Sequence, residues 1–421
     1  MSETVTSTPE GYVFNPFAPS FTDDPYPYYR ELRATDPVHR HPLGFWVLGR
    51  RDDVVALLRS KNSVEDRNID LDQSLRQQIE AGSEAEAGVD DSGRALGLSM
   101  LDRDPPDHTR LRKLVTKAFT VRAIEALEPR VVELVDAALD RIDARIAEHS
   151  SADLVAELAY PLPFTVICEM LGMPETDHDR LRELASTLVR SLEPVNDPEL
   201  LTAVAAAGQE ISSRIAQVIA DKRREPGDDL LTALIQAEDG GDVLTDDELT
   251  AQVVLLYVAG HETTVNLIAN GTIALLRNPD QFARLVADPT LDANAVEELL
   301  RYDSPVQQSR RITLAPYEVG GRVIPAGRFV IAGLASANRD EEFWGADADR
   351  LRLDRPNARA QVSFGGGPHH CLGAALARLE GRVALGRLVR RFPDLALAGE
   401  ITWNGRINLR GPLEVPVTAT G

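Results

Sequence analysis

The sequence predicts a mainly α-helical protein with a few small β-sheets. Apolar residues recur at intervals of three and four across residues 105–278, which is the periodicity of helices that bury one face. Strand signals are confined to residues 45–48 and 317–332, where Gly and Pro separate β-branched and aromatic residues. Because no linker or low-complexity tract interrupts the 421 residues, we expect one domain over residues 1–421.

The best-marked helix begins after Thr245. The Thr245 hydroxyl can cap the first turn while Glu248 reaches back, and Leu244 and Leu249 are spaced as a hydrophobic staple. The pattern continues to Asn278, which gives roughly 33 residues and about 50 Å of helix. A helix of this length must lie largely in the core.

Composition limits the partners and the compartment. The formal net charge of −21 argues against nucleic acid or an anionic membrane as a partner. Cys168 and Cys371 are the only cysteines and lie in different contexts, so no disulfide framework is implied and a reducing cytoplasm fits. No signal peptide or membrane anchor is visible, and we expect a soluble chain with residues 1–15 flexible and residues 81–98 forming a mobile surface loop.

One cysteine stands at the end of a glycine-rich loop, directly before a helical pattern. Residues 364–373 read FGGGPHHCLG, and the helix that follows would place its positive N-terminal end at the sulfur of Cys371. Glycines let backbone N–H groups approach the sulfur, and a bound metal would hold it as a thiolate. The alternatives are a small buried hydrophobe and a zinc ligand, although only His369 and His370 are near enough in sequence to assist a zinc ion.

This loop resembles the haem-ligand signature of the cytochrome P450 family, Phe-Gly-x-Gly-x-His/Arg-x-Cys-x-Gly. The resemblance implies a helix-rich triangular fold with haem b between the long central helix and the cysteine loop. Cys371 would be the axial iron ligand, His369 would reach a haem propionate, and Phe364 and Gly373 would complete the haem-contacting loop. His stands where many members have Arg.

A segment of the long helix resembles the oxygen-activating motif of the same family. Ala259 and Gly260 would border the haem, and Glu262 and Thr263 would be the catalytic pair that manages proton delivery. An acid and a hydroxyl within an apolar helix are unfavourable unless hydrogen-bonded, and Gly260 weakens the helix where a kink could admit water. The alternative is that Glu262 and Thr263 merely face solvent. We give His261 no role.

Three further matches complete the resemblance. Glu298 and Arg301 fit the family's Glu-x-x-Arg pair, with Arg355 as the third member of a structural triad. His108 and Arg112 share one helix face and would bind haem propionates. Arg311 would be another propionate ligand, with Arg310 as the alternative.

The resemblance implies a monooxygenase that inserts one atom of dioxygen into a small hydrophobic substrate, such as a macrolide, terpene, steroid or other secondary metabolite. Electrons would come from NAD(P)H through a separate ferredoxin and ferredoxin reductase, and we expect a monomer. A cationic face formed by Arg110, Arg112, Lys113 and Lys117 would receive an acidic ferredoxin. The competing readings are a peroxide-driven oxidase or decarboxylase of the same fold and a non-catalytic haem sensor or carrier.

Overall fold

The computed structural model describes residues 11–70, 98–174, 178–193 and 197–420. The expected loop at 81–98 lies outside these ranges except for Leu98, as do residues 1–10 of the expected flexible start. Within residues 11–15, Phe14 is buried and its ring contacts the rings of Phe21 and Tyr29. In these ranges no helix combines the length and apolar character needed to cross a membrane.

Helices form most of the described chain. Helices α1–α8 are Tyr26–Thr35, Arg51–Arg59, Asp107–Ala118, Val121–Glu125, Glu128–His149, Pro161–Leu171, His178–Val189 and Pro198–Arg224. Helices α9–α15 are Leu230–Ile235, Asp246–Leu276, Pro279–Ala287, Asp292–Tyr302, Leu334–Ala337, Glu341–Trp344 and Ala374–Arg391. The fold class predicted from the periodicity is therefore confirmed.

Short strands form small sheets at the edge of the helical body. Strands β1–β7 are Val38–Arg40, Trp46–Leu48, Ala152–Asp153, Glu238–Asp239, Asp242–Val243, Ser309–Ile312 and Tyr317–Val319. Strands β8–β13 are Arg322–Ile324, Phe329–Ala332, Ala396–Leu397, Thr402–Trp403, Pro412–Glu414 and Pro416–Thr418. The largest sheet has the order β1-β2-β9-β6, in which β2 and β9 are parallel and the other pairs are antiparallel.

Helix α10 is the central element. Its N-terminus has the predicted capping box: the backbone N–H of Glu248 donates to Oγ1 of Thr245 at 3.2 Å, and the Thr245 N–H donates back to Oε2 of Glu248 at 2.9 Å. Its 31 residues pack against α6, α8, α12 and α15, and nearly all of its side chains are buried. The helix continues through Gly260 without interruption, and a Cβ atom built on Gly260 would make only an ordinary contact with Ile167.

A buried ion-pair network fixes α12 to the irregular segment that follows α14. Nε and Nη2 of Arg301 donate to the Glu298 carboxylate at 2.7 and 2.8 Å, and Nε of Arg355 donates to the same carboxylate at 3.1 Å. The remaining Arg301 donors reach the carbonyl oxygens of Asn338, Ala348 and Arg350. Glu298, Arg301 and Arg355 thus form the cluster expected of a structural triad, and all three are buried.

We expect Glu298→Gln to lower the free energy of unfolding by about 3–5 kcal/mol, because the buried Arg301 guanidinium would lose its counter-charge and Arg355 would keep only its pair with Asp347. Glu133→Gln is the matched control, since Glu133 also pairs with an arginine three positions away but is largely exposed. Thermal unfolding of both variants checks this. Equal unfolding midpoints would contradict a stabilising role for the buried network.

Candidate haem site

The loop before α15 holds Cys371 by backbone contacts. The N–H of Cys371 donates to the carbonyl oxygen of Phe364 at 2.9 Å, which closes the loop on itself. Gly367 has a φ of +67°, and a Cβ atom there would lie 2.3 Å from the carbonyl oxygen of Leu58 in α2. Gly367 is therefore required both by its left-handed backbone and by the close approach of α2.

Phe364 and Gly373 lie on opposite sides of the cysteine in the chain. The Phe364 ring packs on Leu267, Val296 and Leu300, and the Arg378 guanidinium lies 4.5 Å from the ring centroid. Gly373 is the N-cap of α15, and a Cβ atom there would lie 3.9 Å from Sγ of Cys371. The loop therefore places a helix N-terminus next to the sulfur, while the Phe364 ring packs on residues of α10 and α12.

The Cys371 side chain is accessible although protein surrounds it on most sides. Burial raises the pKa of the Cys371 thiol, while the backbone N–H groups of Gly373 and Ala374 and the cations Arg112 and Arg378 lower it. The helix N-terminus thus favours the thiolate as expected, but desolvation outweighs it. A bound metal ion would be needed to hold the sulfur deprotonated at neutral pH.

Basic side chains converge beside this loop. The His108 and His369 rings are 4.1 Å apart, and Nη2 of Arg112 donates to the carbonyl oxygen of His370 at 2.6 Å. His108 is buried, and neither of its ring nitrogens has a hydrogen-bond partner among the residues described. Burial, followed by the proximity of His108, Arg311 and Arg112, lowers the pKa of His369 to about 3.

Arg310 and Arg311 of β6 have different surroundings, because successive residues of a strand point to opposite faces of the sheet. Arg310 pairs with Asp66 and Asp102. Arg311 is buried, donates to Oγ of Ser309 and to the carbonyl oxygen of Arg310, and pairs with no carboxylate in the described part of the chain. Of the two alternatives, Arg311 is therefore the one that joins the basic cluster.

The polar middle of α10 has a separate arrangement. Ala259 is exposed, and Oγ1 of Thr263 donates to the Ala259 carbonyl oxygen at 3.1 Å. Nη1 of Arg406 donates to Oε1 of Glu262 at 2.5 Å, and only 14% of either side chain is exposed. Burial raises the pKa of Glu262, whereas Arg406 lowers it and Glu193 raises it. Glu262 therefore does not face bulk solvent.

His261 lies on the other side of α10. Its ring contacts the edges of Tyr160 and Phe164, with centroid distances of 4.3 and 5.6 Å, and burial lowers the pKa of His261 to about 3. His261 is thus a neutral core histidine.

Sequence reasoning missed Arg406 as a neighbour of Glu262. Arg406 lies 144 positions later in an irregular segment, and no periodicity or local motif marks it. It also missed Arg378, which covers Phe364 and pairs with Glu297. Arg378 is one turn beyond Ala374 in α15, so helical spacing could have indicated that it faces the loop.

The haem that the resemblance implies fits these residues. A metal would satisfy the sulfur, and the two carboxylates of the same group would pair with Arg112 and Arg311 and accept a hydrogen bond from His108, none of which pairs with a carboxylate in the described ranges. In the described ranges no three His, Cys, Asp or Glu side chains come together as a metal site, so the zinc alternative has no ligand set there. The arrangement is that of a haem-thiolate protein.

Comparison with known proteins also indicates a haem-thiolate protein. A family profile described as Cytochrome P450 matches residues 73–396. Cytochrome P450 107B1 of Saccharopolyspora erythraea is 43% identical over 415 residues, which cover 95% of this chain and 96% of that protein. The chain therefore belongs to the cytochrome P450 family, whose cofactor is haem, and it is a monooxygenase of that family.

Other relatives have named functions. The vitamin D(3) 25-hydroxylase of Pseudonocardia autotrophica is 41% identical, with 99% of this chain and 98% of that protein covered. The solved structure of PksS, the cytochrome P450 of the bacillaene polyketide synthase of Bacillus subtilis 168, superposes with a TM-score of 0.85 at 34% identity and covers 97% of this chain and all of that one. The cytochrome P450 fold expected from the resemblance is confirmed.

We expect Gly367→Ala to destabilise the protein by more than the roughly 1–2 kcal/mol of a left-handed alanine, because the new methyl group would collide with the backbone of α2. Gly240→Ala is the matched control: Gly240 has a φ of +62° and open space around it. Thermal unfolding of the two variants distinguishes a steric collision with α2 from the strain of a left-handed alanine. Equal losses of stability in both variants would rule out the collision.

Proposed function

We propose that this chain holds haem b through Cys371 and uses it to insert one oxygen atom into a small hydrophobic substrate. The observation that carries the proposal is the basic cluster of His108, Arg112, Arg311 and His369, which lies beside the cysteine loop and forms no ion pair with a carboxylate in the described ranges. Bound haem supplies the iron at which dioxygen is activated.

In this proposal each residue around the haem has one task. Arg112 and Arg311 bind the propionates by charge-assisted hydrogen bonds, and His108 and His369 donate from their ring nitrogens. Ala259 and Gly260 offer a small-residue surface that lets a flat group approach α10 closely. Phe364 shields the sulfur from water on the side opposite Gly373.

We assign proton delivery to Glu262 and Thr263. Thr263 already donates its hydroxyl proton to the Ala259 carbonyl oxygen, so the lone pairs of its oxygen remain free to accept a hydrogen bond from water. Burial raises the pKa of Glu262 above that of an exposed carboxyl group, although Arg406 lowers it, and we assign to this carboxyl group the exchange of protons with water.

We propose that NAD(P)H supplies the electrons through a separate ferredoxin and ferredoxin reductase. An open groove of about 650 Å³ lies against the cysteine loop and is lined by His108, Arg112, Lys113, Lys117, Gly367 and Pro368. Lys113 and Lys117 pair with Asp239, and Arg110 pairs with Glu248. Arg112 forms no ion pair with a carboxylate among the described residues, but in this proposal it binds a propionate. A docked acidic protein would therefore have to compete with the internal ion pairs of Arg110, Lys113 and Lys117. We propose that the chain works as a cytoplasmic monomer.

The proposed substrate class is supported by the named functions of two relatives. One hydroxylates vitamin D(3), and another serves a polyketide synthase. We propose that this chain likewise acts on a bulky apolar secondary metabolite such as a macrolide, terpene or steroid. A screen of such compounds for the haem spin-state shift would identify the substrate.

Cys371→Ala should abolish the thiolate-type absorption band of the reduced, carbon monoxide-bound protein, because the sulfur ligand would be gone. Cys168→Ala is the matched control, since Cys168 is buried in the core beside Tyr257 and should leave the band unchanged. A normal band in the Cys371 variant would refute the ligand assignment.

Thr263→Ala should reduce product formed per NAD(P)H consumed by roughly tenfold or more and release hydrogen peroxide instead, because the hydroxyl that guides protons is missing. Thr272→Ala removes the same kind of hydroxyl, which donates to the Ile268 carbonyl oxygen farther along α10, and should leave coupling unchanged. Peroxide release and NAD(P)H consumption are measured together. Unaltered coupling in the Thr263 variant would exclude Thr263 from proton delivery.

A further inference from the structure

The segment at residues 404–411, here called the C-terminal turn, contacts both the segment at residues 306–307 and helix α10. Its Leu409 forms a β-bridge with Val306, and the N–H of Gln307 donates to the carbonyl oxygen of Asn408 at 2.8 Å. From this turn Arg406 extends to Glu262 on α10. The turn is therefore the scaffold that sets where the Arg406 guanidinium lies.

A single carboxylate holds the middle of this turn. Glu193, just after α7, accepts hydrogen bonds from the N–H groups of Ile407, Asn408 and Leu409 at 2.8 to 3.1 Å. The Asn408 side chain adds a bond to the carbonyl oxygen of Leu192. Three consecutive backbone donors on one charged acceptor make a strong and directional clamp.

We propose that Arg406 and Glu193 are positioning residues for Glu262: Glu193 clamps the C-terminal turn, and the clamped turn holds the Arg406 guanidinium against the Glu262 carboxylate. The carboxyl assigned to proton delivery is thereby linked to the segment that follows α7. This inference rests on the proposed role of Glu262 for its functional meaning, but the linkage itself can be measured without turnover.

The charges of Arg406 and Glu193 shift the pKa of Glu262 in opposite directions. The Arg406 cation stabilises the Glu262 carboxylate and lowers its pKa, whereas the Glu193 anion raises it. Among the described residues, the other ionisable groups near Glu262 are Tyr160, directly before α6, and the neutral His261, with Arg182 of α7 lying over the Tyr160 ring. If Glu193 acted only as a nearby charge, its removal would lower the pKa of Glu262. If it acts through the turn, its removal also withdraws Arg406 and the pKa rises.

The experiment follows the titration of Glu262 in the haem-loaded protein. Glutamate labelled with ¹³C at the carboxyl carbon is observed by NMR in the diamagnetic reduced carbon monoxide complex, and the Glu262 signal is identified by its loss in Glu262→Gln. Arg406→Gln should raise the midpoint of the Glu262 titration by about one pH unit or more, and Arg406→Lys should largely restore the wild-type midpoint. Arg223→Gln, which removes a surface cation paired with Asp246 at the start of α10, is the control and should cause no shift.

Glu193→Gln decides the role of the clamp. The neutral amide cannot accept three N–H groups equally well, so the turn loosens and the midpoint should rise as in Arg406→Gln. In the Arg406→Gln background the same substitution should add no further rise. A fall in the midpoint with Glu193→Gln, or no shift with Arg406→Gln, would overturn the proposal.

Peroxide release keeps this test separate from the proposed function. If Glu262→Gln leaves hydrogen peroxide release per NAD(P)H unchanged, proton delivery by Glu262 is excluded, while the NMR midpoints still report on positioning. If Glu262→Gln alters peroxide release but Arg406→Gln does not move the midpoint, only the positioning role fails.

Discussion

Four consecutive polar side chains in the middle of a buried helix are the constraint on which the surrounding structure depends. Residues 261–264 lie in a largely apolar core helix, where burying a polar group is unfavourable unless it is hydrogen-bonded. Thr263 and Thr264 bond to carbonyl oxygens one turn earlier, at 3.1 and 3.4 Å. Glu262 takes its partner, Arg406, from elsewhere in the chain, whereas the His261 ring is enclosed by aromatic rings and its Nε2 has no hydrogen-bond partner among the described residues.

His261 and Glu262, although adjacent in α10, have different surroundings. His261 is enclosed by Tyr160 and Phe164 and joins the core. Glu262 instead meets Arg406, so the polar side of the helix stays connected to the C-terminal turn and, through Glu193, to the end of the α7 segment. A polar interruption of the helix thus organises both the core packing and the wall of the proposed site.

The unpaired basic cluster is unusual because this chain has a surplus of anions. With a net charge of −21, carboxylates are available for most cations, and Arg310 and Lys113 illustrate such pairing. Burial of His108 and Arg311 without an ion pair to a carboxylate in the described ranges is therefore a property of their positions rather than of composition. Two propionates of a haem would complete this cluster, which links the electrostatics of the loop to the cofactor of the family.

The sequence by itself determined the features that depend on neighbours a few residues apart. The capping box of Thr245 and Glu248 is local geometry that spacing alone predicted, whereas the contact of Glu298 with Arg301 and the glycine loop around Cys371 are local motifs that the resemblance to the family identified. Only the tertiary structure decided which of Arg310 and Arg311 joins the basic cluster, and that Arg406 and Glu193 approach Glu262. Those contacts join residues far apart in the chain, and they arise from the packing of whole helices and strands, which no local pattern encodes.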